Sequence, residues 1–270
     1  MPQTLILLRH NRFNFFTCLL SLGLIACSIF STNAYAQNQL GEVKDLYERA
    51  VIAYSKQQYV QAMALYQQII KTVPTFAPAY NGLALANQAA SGDEGETIKY
   101  LKIAIKYDPK MALAYDNLGR IYYARQDVDH AQENFEKALE IDPNISSSQI
   151  CLAWINLLIR SRPRTAIKYF KMALAASPDP KTYYGLGQAY FSSNQRAEAM
   201  EIITKLHEMG EEDLASRLEN ALRENKTVNA QADNGTGNAS AMPVGLGPLT
   251  PTLDKPTGTK VRLHGKLSDY

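Results

Sequence analysis

The side chains able to do chemistry in this 270-residue chain are few and scattered. Of its three cysteines, Cys18 and Cys27 fall in an apolar N-terminal stretch. Removal of that stretch leaves Cys151 with no partner for an intramolecular disulfide. Cys151 sits between Ile150 and Leu152 at the start of an expected helix and reads as a packed thiol. His130, His207 and His264 are far apart, with no metal-ligand spacing around them. No G-x-S-x-G, phosphate-binding glycine loop or H-E-x-x-H occurs. The expectation is a non-enzyme with no catalytic residues, no metal site and no cofactor. Charge points the same way. The chain holds 28 basic and 26 acidic residues, and a leader carrying Arg9 and Arg12 would leave 26 of each. Nucleic-acid and polybasic membrane binding need a positive field that this balance does not supply. Arg160, Arg162, Arg164 and Lys168 cluster around Pro163, which reads as a solvated loop.

The order in the chain lies in its small and apolar residues. Pro74, Pro109, Pro143 and Pro178 recur at intervals of 35, 34 and 35, each closing a segment of similar pattern. A period near 34 in a helix-rich chain marks a two-helix solenoid repeat. The cleanest copy holds Tyr115, Leu118-Gly119, Tyr122, Ala131, Phe135, Ala138 and Pro143. Gly119, Gly187, Ala62, Ala131, Ala166 and Ala199 mark close helix contacts, where only a small side chain fits. Tyr66, Phe135 and Phe170 fill the space between hairpins, and the prolines end the second helices. The second copy carries an extra residue near Gly92 or Gly95, and the fourth carries one near Pro163. In these residues and spacings the chain resembles the tetratricopeptide repeat (TPR) family. The fold implied is all-α: a right-handed α-solenoid of about five helical hairpins, 43–76, 77–111, 112–145, 146–179 and 180–210. A helix at 211–225, with Leu214, Leu218, Ala221 and Leu222 on one stripe, would cap it.

The ends read differently. Arg9 and Arg12, the uncharged run Phe13–Phe30 and Ala34-Tyr35-Ala36 have the order of a secretory signal spanning 1–36. A second reading stays open, because Leu24-Ile25-Ala26-Cys27 resembles a lipobox and would make Cys27 the lipidated N-terminus. Residues 226–270, rich in Gly, Pro, Asn, Ser and Thr, read as a disordered tail.

The TPR resemblance also implies where a partner would sit. The first helix of each repeat lines the concave face of such solenoids, with three positions per helix spaced i, i+4, i+7. Here these are Tyr47, Val51 and Tyr54; Asn81, Leu85 and Gln88; Asp116, Arg120 and Tyr123; Ile150, Trp154 and Leu157; and Tyr184, Gln188 and Phe191. The groove is aromatic and aliphatic, suited to a protein or peptide partner with apolar anchors, and Trp154 is its expected centrepiece. Tyr47, Val51 and Asp116 depart from the family's carboxylate clamp. The expected function is an exported, periplasmic interaction module scaffolding an envelope complex. A periplasmic holdase, or a non-catalytic subunit of an envelope enzyme, is the alternative.

Overall fold

The computed structural model describes residues 40–232, and every regular element among them is helical. Helix α1 covers 40–55. It is followed by α2 (Tyr59–Thr72), α3 (Ala77–Ser91), α4 (Glu94–Tyr107), α5 (Ala112–Ala124) and α6 (Val128–Ile141). Then come α7 (Ser146–Trp154), which continues as a π-turn over Ile155–Ile159, α8 (Pro163–Ala176), α9 (Pro180–Ser192), α10 (Arg196–Glu208) and α11 (Glu212–Ala232). Each helix packs on its neighbours in the chain, and α5 also meets α7 and α9 meets α11. The result is an α-solenoid of five stacked hairpins, α1/α2 to α9/α10, with α11 against the last.

Local chemistry sets the boundaries. Asp93, Asp127 and Asp179 accept from the backbone N–H three residues on, so each caps a helix start. Asp108 and Asp142 end α4 and α6, and their carboxylates accept from the N–H of Lys110 and Asn144, closing a turn over each proline. Within each hairpin the chain reverses through one residue with positive φ: Gln57, Gly92, Gln126, Ser161 and Asn194. In three of these turns the following N–H donates five residues back, Gln58 to Ala53, Asp127 to Tyr122 and Gln195 to Tyr190.

The two extra residues are absorbed by helices. In the second hairpin α3 runs on to Ser91, ahead of Gly92. In the fourth, the π-turn takes the insertion, with Arg160 N–H donating to Ile155 O. The turn-closing bond there spans six residues, from Arg162 to Asn156. Pro163 therefore lies in the first turn of α8, not in a loop, where its missing N–H costs nothing. Arg160, expected in solvent, reaches Asp129 and Gln132 on α6.

The core follows the small-residue columns. Ala62, Thr97, Ala131, Ala166 and Ala199 are all fully buried, and Tyr66, Leu101, Phe135, Phe170 and Ile203 fill the next layer. At Gly119 an added Cβ would stand 2.8 Å from the Phe135 ring and 3.2 Å from the Ala131 carbonyl. At Gly187 it would meet Leu218 of α11 at 2.3 Å. Two further glycines escape the sequence columns: Gly82 takes the Tyr66 ring, and Gly185 takes Phe170 and Trp154. The stacking face of the first hairpin differs in kind. Leu83, Leu118, Leu152 and Leu186 are buried one repeat apart, whereas Arg49 at that register is exposed and pairs with Asp45. At the other end α11 continues seven residues past the expected limit of 225, because no glycine or proline interrupts it. The signal segment, Cys27 and the tail beyond 232 lie outside the described residues.

Candidate partner-binding face

The first helices are tied to one another by polar side chains along a single face. The Asn117 side-chain amide of α5 donates to Asn81 Oδ1 of α3 at 3.0 Å. Ser147 and Ser148, at the start of α7, both donate to Asp116 Oδ1 of α5, at 2.9 and 2.6 Å. Arg120 lies close enough to act on Tyr54 of α1, on Asp116 and on Cys151 of α7. Further along, Tyr184 of α9 feels Arg217 and Asp213 of α11, and it accepts from Gln188 at 2.9 Å. Sequence reasoning missed Asn117, Ser147 and Ser148. The signal for Asn117 was its place beside Asp116, about one period beyond Asn81.

Exposure divides the predicted residues. Tyr47, Val51, Tyr54, Asn81, Leu85, Gln88, Arg120 and Tyr123 are half-buried on α1, α3 and α5, with Tyr47 and Tyr54 packed against the N-terminal core and Tyr123 against the cluster of Phe135 and Leu152. Ile150, Tyr184, Gln188 and Phe191 are also half-buried, and Ile150, Tyr184 and Phe191 pack against the C-terminal core. Three residues are closed off. Asp116 is 3% exposed, and its carboxylate is spent on the two serines. Trp154 and Leu157 are each 8% exposed and belong to the core that runs from Ala153 to Leu222. The expectation that Trp154 stands partly open in the groove does not hold. Its ring meets Phe170 edge-on at 5.2 Å and 83°, and the bare backbone of Gly185 makes room for it.

The electrostatics suit recognition. Burial pushes the phenols of Tyr47, Tyr54 and Tyr123 up, so they stay neutral donors at the face. Burial also raises the Asp116 carboxyl, against the pull of Ser148, Ser147 and Arg120. The Cys151 thiol is pushed up to about 12, chiefly by burial, which keeps it protonated and a poor nucleophile.

Family models for the tetratricopeptide repeat match residues 46–75, 112–145 and 180–209, the first, third and fifth hairpins. The chain is a tetratricopeptide repeat protein. Over 107 residues it is 36% identical to the cellulose synthase operon protein C of Escherichia coli K12, a match covering 39% of this TPR chain. It spans only 9% of that relative's length. Among solved structures it resembles pilF of Pseudomonas aeruginosa, with TM-score 0.56 and 15% identity, covering 73% of this chain and 99% of that one. It also resembles YrrB, described as a TPR protein with an unusual peptide-binding site, with TM-score 0.52 and 17% identity, covering 65% and 90%. At these identities the structural likeness shows the fold. Repeats of this family in these relatives support a protein-interaction module. No described helix is long and apolar enough to cross a membrane.

Proposed function

We propose that the protein is an exported scaffold of a bacterial envelope complex, binding a peptide segment of a partner along α1, α3 and α5. The observation that carries this is the set of half-buried residues from Tyr47 to Tyr123 on α1, α3 and α5, which ends where Trp154 and Leu157 turn into the core. Tyr47, Tyr54 and Tyr123 offer flat apolar area with a hydroxyl edge, the usual make-up of interface anchors. Val51 and Leu85 give aliphatic contact between them, and Asn81, Gln88 and Asn117 give amides for a peptide backbone. Arg120 is the charged residue of this set, beside the buried Asp116. Export rests on the leader read from 1–36, with cleavage after Ala36 or lipidation at Cys27.

The test is cross-linking and affinity capture from the native envelope, with Tyr54→Ala and Tyr123→Ala as paired variants. Recovery of one stoichiometric partner, lost with either variant at unchanged melting, supports the scaffold. Suppression of aggregation of unrelated unfolded proteins without such a partner would make it a holdase. Intact mass beginning at Met1 in a cytosolic fraction would refute export.

A further inference from the structure

His207, near the end of α10, hydrogen-bonds to a second helix, whereas His130 meets another helix only by stacking on Tyr122 of α5. Its Nδ1 lies 2.8 Å from Glu212 Oε2, and its Nε2 lies 3.3 Å from Glu219 Oε1, both on α11. An ionised carboxylate only accepts, so both ring nitrogens must carry a proton for both bonds to exist. A neutral imidazole has one N–H and can serve one carboxylate alone. His130, by contrast, directs only Nδ1 to Asp127, a residue of its own helix cap. We propose that His207 is a protonation-dependent latch on α11: charged, it ties the terminal helix to the fifth hairpin, and discharged, it lets that helix loosen.

What the latch covers gives it consequence. Leu218 of α11 fills the gap above Gly187, and Ala215 and Leu222 are buried in the same cluster as Ile202, Ile203 and Leu206. Loosening α11 exposes that apolar face of the last hairpin, a surface shaped to receive a helix. Two arginines make further contacts on α11. Arg196 of α10 donates to the Leu222 carbonyl at 3.2 Å, and Arg217 pairs with Asp213 within α11. Around His207 itself, Glu219 also meets Arg223 at 3.7 Å, and Lys205 pairs with Glu208 along α10. The charged groups acting on the imidazole are Glu212 and Glu219, and none comes from α9.

The direction follows from the same contacts. Hydrogen bonding to Glu219, then to Glu212, raises His207 above its ordinary value of 6.5. A raised folded-state value gives a tie that is complete at mildly acid pH. The tie is lost as pH rises through that value. His207 also sits at the C-terminal end of one helix and Glu212 at the N-terminal end of the next, so both charges complement their helix dipoles.

The test is amide hydrogen exchange of the full chain, corrected for intrinsic rates, comparing α11 with α5 at mildly acid and mildly alkaline pH. The expected result is an opening of α11 increased about two- to fivefold at the alkaline end, the range of an exposed ion pair. Exchange in α5 should not change. In His207→Gln this difference should vanish. In Glu212→Gln/Glu219→Gln the His207 titration followed by NMR should move down. A pH-independent α11, an unchanged response in His207→Gln, or a His207 midpoint unmoved by the double variant would each overturn the latch. Binding in the groove over α1, α3 and α5 is a separate readout and should not follow these variants.

Discussion

Truncating Trp154 tests the division between the proposed groove and its closed end. The side chain is 8% exposed, edge-on to Phe170 at 5.2 Å, with its Cζ2 atom 2.9 Å from where a Cβ on Gly185 would stand. A buried tryptophan removes about 150–250 Å² from water, worth roughly 4–6 kcal/mol at 25 cal/mol per Å². The fixed backbone of Gly185 cannot fill the space left behind, so Trp154→Ala should lie in the range of about 3–5 kcal/mol seen for such truncations. At roughly 2–4 °C per kcal/mol, the melting midpoint should fall by about 6–20 °C. Because solenoid repeats are coupled mainly to their neighbours, the loss should concentrate in α7 to α9 and broaden the transition. Far-UV circular dichroism follows the variant. In the parent protein the single tryptophan reports on this spot by fluorescence, and its emission should be that of a dry site. An unchanged midpoint together with lost partner capture would refute this reasoning and return Trp154 to the open groove.

Three further outcomes follow from individual contacts. Gly119→Leu should destabilise by at least about 1–3 kcal/mol, since even the first carbon meets Phe135 at 2.8 Å; an unchanged melt would contradict the packing. Gly187→Val should displace Leu218, so α11 exchanges faster while α5 does not, as read by hydrogen exchange. Asp116 has its carboxyl raised by burial, so its ionisation erodes stability as pH rises from its ordinary value of 3.8 through its folded value. Asp116→Asn should therefore gain in melting midpoint over the parent as pH rises from 3.8 through that folded value, and an equal difference at every pH would refute it.

Much of the fold could be read from the chain because each column answers a local steric demand. The alanines at 62, 131, 166 and 199 are buried at one repeated contact, and Asp108 and Asp142 wrap their own turns. Insertions were legible as counts but not as places. A sequence shows one residue too many near Pro163, whereas only backbone geometry shows it taken up by a π-turn at Ile155–Ile159. The site was read less well for a related reason. Spacing along α7 puts Trp154 in the same stripe as Arg120 and Gln188. Its burial depends on which neighbour leaves a gap, and Gly185 on α9 does so. Asp116 was misread likewise, because its serine partners stand 31 and 32 residues away.

The left-handed turn residues carry a practical consequence. Gln57, Gln126, Ser161 and Asn194 hold φ values of 60°, 63°, 52° and 61°. Asparagine takes this conformation readily, but Gln57, Gln126 and Ser161 do not favour it, so in those three turns the packing of the hairpins sets the backbone. Each costs roughly 1–2 kcal/mol relative to an unstrained backbone, and glycine accepts the same geometry freely. The second hairpin already has Gly92 there, at φ 67°. Glycine at positions 57, 126 and 161 offers an additive route to a more heat-resistant protein, at sites in separate hairpins, two of which bond back to the carbonyls of Tyr54 and Tyr123.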